Sequence, residues 1–152
     1  MLLGNYFKNI KKSYKKFYFS DISFNSSQIK KNNIFFAIRG NKIDGNNYIS
    51  SAIKNGAKII ITEDKTEGLK NNILYIKVKK IRKLLSEISF KINNTRPYNI
   101  IAVTGTNGKS SVADFYYQIL NLNNKKVASI GTLGVKSKNF KKKLTILDPI
   151  TL

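Results

Sequence analysis

Thr104-Gly105-Thr106-Asn107-Gly108-Lys109-Ser110-Ser111 is a glycine-broken turn that ends in Lys-Ser. Just before it, Asn99-Ile100-Ile101-Ala102-Val103 is an apolar run that predicts a buried parallel strand. Just after it, Val112, Phe115, Tyr116, Ile119 and Leu120 recur at helical spacing. The turn is therefore expected at a helix N-terminus, where unpaired N–H groups and the positive dipole end favour an anion. Gly105 and Gly108 let the backbone approach that anion, Lys109 neutralises phosphate oxygens, and the Ser110 hydroxyl can ligate Mg²⁺. Only Thr106 and Asn107 separate Gly105 from Gly108, so this is a shortened relative of the common phosphate loop. The plain alternative is a strand-turn-helix corner in which the glycines only supply positive φ and Lys109 is solvated.

Upstream of the turn, Leu3, Tyr6, Phe7 and Ile10 suit a short surface helix. Alternation from Phe17 to Phe24 suggests a strand, Ile34 to Ile38 a buried one, and Ser50 to Gly56 a helix with a glycine stop. A strand is expected from Ala57 to Thr62, a polar loop from Asp64 to Asn72, and a further strand from Ile73 to Val78. From Ile81 to Ile92, residues Leu84, Leu85, Ile88 and Ile92 share one helical face. These elements predict a small α/β domain over 1–97, closed by the turn-rich junction Asn93-Asn94-Thr95-Arg96-Pro97. The second domain, 98–152, holds the phosphate turn, its helix, a strand from Lys126 to Ile130 and a Lys-rich loop around Lys141-Lys142-Lys143. A parallel sheet covered on both faces needs more strands and helices than these. The chain is therefore expected to be the N-terminal part of a longer protein, with apolar surface exposed around Val103 and Val127.

Composition narrows the chemistry. The chain of 152 residues has no cysteine and no histidine, which excludes within it a disulfide, a thiolate zinc site and histidine acid–base catalysis. Its 28 basic against 8 acidic residues give a formal charge of +20, which raises nucleic-acid binding as a function. Only Arg39, Arg82 and Arg96 are arginines, and the lysines are scattered instead of lining one element. The charge therefore reads as solvated faces that also suit anionic substrates, and no nucleic-acid partner is expected. Apolar runs are too short to cross a bilayer and no signal peptide core is present, so a cytoplasmic location is expected.

The shortened loop resembles the ATP-binding loop of the Mur ligases and of their folylpolyglutamate synthetase relatives. Asn25-Ser26-Ser27-Gln28-Ile29 through Ile34-Phe35-Phe36-Ala37-Ile38-Arg39-Gly40, followed by Asp44-Gly45, is similar to a first-domain pattern of that family. Asn25, Ser27 and Asn46 stand where the pattern has Asp, Arg and His. Ile130-Gly131-Thr132-Leu133-Gly134, followed by Thr145 to Leu152, resembles the MurE branch in particular, with Ile146 and Leu147 in place of a Thr and a Pro.

The resemblance implies a P-loop-type ATPase domain behind a UDP-sugar-binding one. It implies an ATP- and Mg²⁺-dependent, monomeric, cytoplasmic ligase of peptidoglycan synthesis, and hence of cell shape and division. Such an enzyme joins a third amino acid, diaminopimelate or lysine, to UDP-N-acetylmuramoyl-L-alanyl-D-glutamate through an acyl phosphate. By the same resemblance Gly105, Thr106, Asn107, Gly108, Lys109, Ser110 and Ser111 bind ATP, with Lys109 catalytic and Ser110 on Mg²⁺. Phe24, Ser26, Asn41, Lys42, Ile43 and Thr145 contact the UDP-sugar peptide. The rivals are a MurF-type ligase, a basic nucleic-acid-binding ATPase, and a module that only binds a uridine nucleotide. Asp114 reads as a solvated residue of the helix, and Asp44-Gly45 as a turn signal in any protein.

Overall fold

The computed structural model of the chain describes residues 1–8, 10–41, 43–93, 97–132, 134–137 and 140–142, the last three through their backbone alone. The fold is mixed α/β with a mostly parallel sheet, and the chain divides into two compact units, Met1–Asn94 and Thr95–Leu152.

In the first unit, short isoleucine- and phenylalanine-rich runs form the strands. The elements are α1 (Leu3–Tyr6), β1 (Ile22–Ser23), β2 (Ile34–Phe36), α2 (Ile49–Lys54), β3 (Ile59–Thr62), β4 (Gly68–Lys70), β5 (Ile73–Lys77) and α3 (Ile81–Ile92). The sheet order is β1-β2-β3-β5-β4; β1, β2, β3 and β5 run parallel, and β4 is an antiparallel edge. The register aligns Ile34, Ile59 and Leu74 in one row, Phe35, Ile60 and Tyr75 in the next, and Phe36, Ile61 and Ile76 in a third. Successive rows point to opposite faces. Both faces are buried, which is why the strands read as continuous apolar runs and not as alternation.

Phe35 and Ile60 pack with Ile29, Ala37, Ala52, Ala57 and Ile73, against Ile49 and Ile53 of α2. Leu3, Phe7 and Phe19 of the N-terminal segment and Ile81, Leu85 and Ile88 of α3 are buried as well. Lys91 Nζ at the end of α3 donates to Tyr6 O at 2.8 Å, which ties α3 to α1.

Three expectations for this unit need correcting. The N-terminal segment is part of the core, not a surface helix: Leu3 and Phe7 are buried, and the helix is a single turn. Only Ile22–Ser23 of the expected strand Phe17 to Phe24 joins the sheet, with Tyr18 making a lone bridge to Leu2. Ser20 and Asp21 divert the backbone there: the Ser20 hydroxyl donates to Lys31 O and Asn33 Oδ1, and Asp21 Oδ1 accepts the Ile22 N–H. The polar stretch Asp64 to Asn72 contains β4, whose only apolar residue is the exposed Leu69.

The second unit contains α4 (Lys109–Leu122) and an antiparallel sheet of β6 (Ala128–Gly131), β7 (Gly134–Ser137) and β8 (Phe140–Lys142). The Lys-rich stretch expected as a loop is β8 through Lys142; Lys143 lies outside the described residues. Asn99 to Val103 is not a strand, and Ile100, Ile101 and Val103 are exposed. A parallel strand exists only through its neighbours' hydrogen bonds, and among the described residues no strand pairs with this run. Of the helical stripe, Val112, Phe115, Tyr116 and Ile119 are exposed as well and Leu120 is half-buried, while Leu122 beyond it is exposed by 80%. Apolar surface is thus open at Val103 as expected, whereas Val127 is half-buried.

Candidate functional site

The phosphate turn takes its shape from two glycines. Gly105 has φ 150° and Gly108, the residue preceding α4, has φ 73°, both conformations that L side chains rarely adopt. A Cβ placed on Gly108 would meet nothing within 4 Å, so the backbone there faces open space. The first helical bond runs from the Val112 N–H to the Gly108 carbonyl at 2.9 Å, which leaves the amides of Lys109, Ser110 and Ser111 without intrahelical acceptors. Residues 104–111 are all exposed. The turn is thus an exposed backbone whose first helical amides lack intrahelical acceptors, at the positive end of a 14-residue helix.

The side chains Lys109 and Ser110 are held by the turn itself and by the β6–β7 hairpin. Lys109 Nζ donates to the Gly105 carbonyl and, at 3.0 Å, to the Thr106 carbonyl, so the ammonium lies across the loop. Ser110 Oγ lies 2.9 Å from Thr132 Oγ1, in the turn between β6 and β7. One helical turn further along α4, Asp114 is paired with Lys136 of β7 and accepts from Gln118 Nε2 at 2.9 Å. Lys136 and then Gln118 hold the Asp114 carboxyl below its ordinary pKa. Asp114 is therefore not the solvated residue expected: it is half-buried and ties α4 to the hairpin. Beyond it, Tyr117, Asn121 and Asn124 line an open cavity of about 520 Å³.

In the first unit, the candidate substrate residues fall on loops leaving the C-terminal ends of adjacent parallel strands, the edge where open α/β sheets bind ligands. Phe24 and Ser26 follow β1 and are half-buried; Asn41 and Ile43 follow β2 and are exposed. Asn25 Oδ1 accepts the Ser27 N–H at 3.0 Å and its hydroxyl at 2.8 Å, which closes a tight turn around Ser26. Lys42 and Thr145, and with Thr145 the whole stretch to Leu152, lie outside the described residues.

The loop after β2 is clamped. Gly40 N–H bonds to Ile43 O at 2.8 Å, and Arg39 Nε meets Asp44 Oδ2 at 3.0 Å and Arg39 Nη2 meets Asp64 Oδ1 at 3.5 Å. Asn46, in place of the family's His, donates to Asp44 Oδ1 and accepts from the Thr62 hydroxyl at 3.0 Å, so its amide joins the loop to the end of β3. Arg82 Nη2 adds a bond to Arg39 O at 2.9 Å. Sequence reading missed Arg39, Asp64, Arg82, Thr132 and Lys136, because each pairs across elements and no local spacing announces it.

Asp44 sets a pH limit. Its carboxyl is held below the usual range, chiefly by the Asn46 backbone N–H and then by Arg39. A lowered folded-state pKa gives stability that is complete above the unfolded value of about 3.9 and lost as pH falls through the folded one. Asp114 acts in the same sense, and no histidine titrates between. The melting temperature is expected to stay flat from pH 8 to 5 and fall only below about pH 4. A melting transition centred near pH 6 would contradict this assignment.

Residues 19–91 match the profile "Mur ligase family, catalytic domain" and residues 103–152 match "Mur ligase middle domain". The UDP-N-acetylmuramoyl-L-alanyl-D-glutamate--2,6-diaminopimelate ligase of Rickettsia prowazekii (strain Madrid E) is 39% identical over 128 residues, covering 84% of this chain and 26% of that protein. A solved structure of a ligase of the same name superposes with a TM-score of 0.73 at 22% identity, over 99% of this chain and 31% of that one, a likeness of fold. The MurF ligase from Thermotoga maritima in complex with ADP gives a TM-score of 0.54 at 27% identity, over 70% of this chain and 24% of that one. The chain spans about a quarter of the length of the curated relatives it matches.

Proposed function

This chain belongs to the Mur ligase family, and on that premise we propose that it serves an ATP-dependent ligase adding diaminopimelate to UDP-N-acetylmuramoyl-L-alanyl-D-glutamate in peptidoglycan synthesis. Curated relatives at about 40% identity carry that name, and the MurF likeness is the lower of the two structural ones. The first unit is the nucleotide-sugar-binding part, and the second begins the ATP-binding part. A cytoplasmic location goes with these substrates; among the described residues no helix is long and apolar enough to cross a membrane.

The observation that carries this reading is the exposed turn before α4, with free amides and two glycines in positive φ. In the proposed reaction a peptide carboxylate oxygen attacks the γ-phosphorus of ATP and ADP leaves, which gives an acyl phosphate. The amine of the incoming amino acid then attacks the acyl carbon and expels phosphate, forming the amide. Charge gathers on phosphate oxygens throughout, so fixed N–H donors and an ammonium matter more than an acid–base pair. The amides of 105–111 and Lys109 supply them, and the Ser110 hydroxyl, a hard oxygen donor on the first helical turn, fits Mg²⁺, which would neutralise phosphate charge when bound. Phe24, Ser26, Asn41, Lys42, Ile43 and Thr145 are the proposed contacts of the UDP-sugar peptide.

Calorimetric titration tests the assignment. The chain is expected to bind ATP with Mg²⁺ and, independently, UDP-N-acetylmuramoyl-L-alanyl-D-glutamate. It is expected to bind an oligonucleotide only weakly at physiological salt. Tight, steeply salt-dependent oligonucleotide binding with no response to either substrate would replace the ligase reading with the nucleic-acid one.

A further inference from the structure

We infer that Thr132 is a positioning residue of the phosphate site, and that its hydroxyl holds Ser110 Oγ in the orientation from which it ligates a cation. The inference rests on the phosphate-loop reading and deepens it. A serine side chain in the first turn of a helix has three staggered rotamers and can fold back onto nearby backbone instead of facing a ligand. Thr132 Oγ1, 2.9 Å away, selects one of them.

The chemistry is directional. When a serine hydroxyl gives a lone pair to a cation, its proton turns away from the metal and needs an acceptor. Thr132 Oγ1 is that acceptor in this arrangement, and a valine methyl at the same place cannot be. The hydroxyl pair is not the accident of a loose turn. β6 and β7 close with Gly131 opposite Gly134, and Lys136 on β7 is tied to Asp114. Asp114 stands four residues after Ser110 and so on the same face of α4. Two cross-links one helical turn apart therefore hold the hairpin along the helix and fix where Thr132 stands.

The test titrates the chain with a fluorescent ATP analogue, once in EDTA and once in saturating Mg²⁺. The ratio of the two affinities is the gain from Mg²⁺. Thr132→Val is expected to leave the EDTA affinity unchanged and to cut the gain about 5- to 10-fold, the size of one lost hydrogen bond. Thr132→Ser restores it. Ser110→Ala, which removes the ligating oxygen itself, loses at least as much, and the double variant loses no more than Ser110→Ala alone, because Thr132 acts through Ser110. Thr132→Ala repeats the result without the bulk of valine, and Lys136→Ala, which frees the hairpin, gives a partial loss. If Thr132→Val and Thr132→Ala keep the full gain while Ser110→Ala loses it, Thr132 has no positioning role and the phosphate loop stands. If Lys109→Ala leaves ATP affinity unchanged in both media, the phosphate-loop reading falls and the inference with it.

Discussion

Lys109→Ala is expected to weaken binding of Mg²⁺·ATP to the chain by about 10- to 100-fold, with the melting temperature nearly unchanged. A hydrogen bond to a charged group is worth about 1.5–3 kcal/mol, and each 1.4 kcal/mol is a factor of ten in affinity. Lys109 is exposed, and among the described residues its ammonium bonds to carbonyls of its own loop, Gly105 O and Thr106 O. Losing those contacts in the free protein costs little, because water replaces them. Losing an ammonium beside phosphate oxygens costs much more, since the amides that remain are dipoles and not charges. Lys109→Arg should recover only part of the loss: a guanidinium fork is wider than the compact ammonium that a glycine-shaped turn admits. Calorimetry on the three proteins is the measurement, and equal affinities would remove Lys109 from the site.

The pattern of success in reading the chain follows the range of the interactions. α3 runs from Ile81 to Ile92 as its spacing predicts, because Ile81, Leu85 and Ile88 bury one face whatever lies opposite. β3 and β5 are legible for the same reason, as isoleucine runs too short for a helix. The turn before α4 is legible because glycine, lysine and serine act within eight residues of one another. Asn99 to Val103 misleads because its apolar run states what the segment would bury, not what covers it; among the described residues no strand pairs with it, and Ile100, Ile101 and Val103 are exposed. β7 and β8 escape notice because their sequence, Val135 among lysines and serines, carries no apolar alternation. The Asp114–Lys136 pair and the Arg39 clamp escape with them, since ion pairs across 22 residues or to a distant loop follow from topology.

Gly45→Ala is expected to destabilise the first unit by about 3 kcal/mol and to abolish nucleotide-sugar binding, a larger effect than a turn glycine would cause. In sequence, Asp44-Gly45 is an ordinary turn signal, and the usual reason for glycine there is positive φ. That reason fails, because Gly45 does not have positive φ. The residue is glycine because its backbone lies against the end of β2: its N–H donates to Ile38 O at 2.9 Å, and a Cβ would fall 2.6 Å from both Ile38 N and Ile38 O. Ala37 C would be 2.9 Å away. None of these atoms can yield like the tip of a flexible side chain. The Ala37 amide is bonded to Ile61 O at 2.9 Å, so pushing β2 back breaks the central sheet. If Gly45 moves instead, Asp44 moves with it and loses the Asn46 amide and Arg39 together, and the loop carrying Asn41 and Ile43 is no longer clamped. The urea midpoint is expected to fall by roughly 1–2 M at an m-value of about 2 kcal/mol/M. Asp44→Asn, which keeps the shape but not the charge, should lower the midpoint far less and weaken nucleotide-sugar binding only in part. A Gly45→Ala protein that melts and binds like the parent would mean that the loop after β2 sits elsewhere, and the binding edge assigned to the first unit would have to be redrawn.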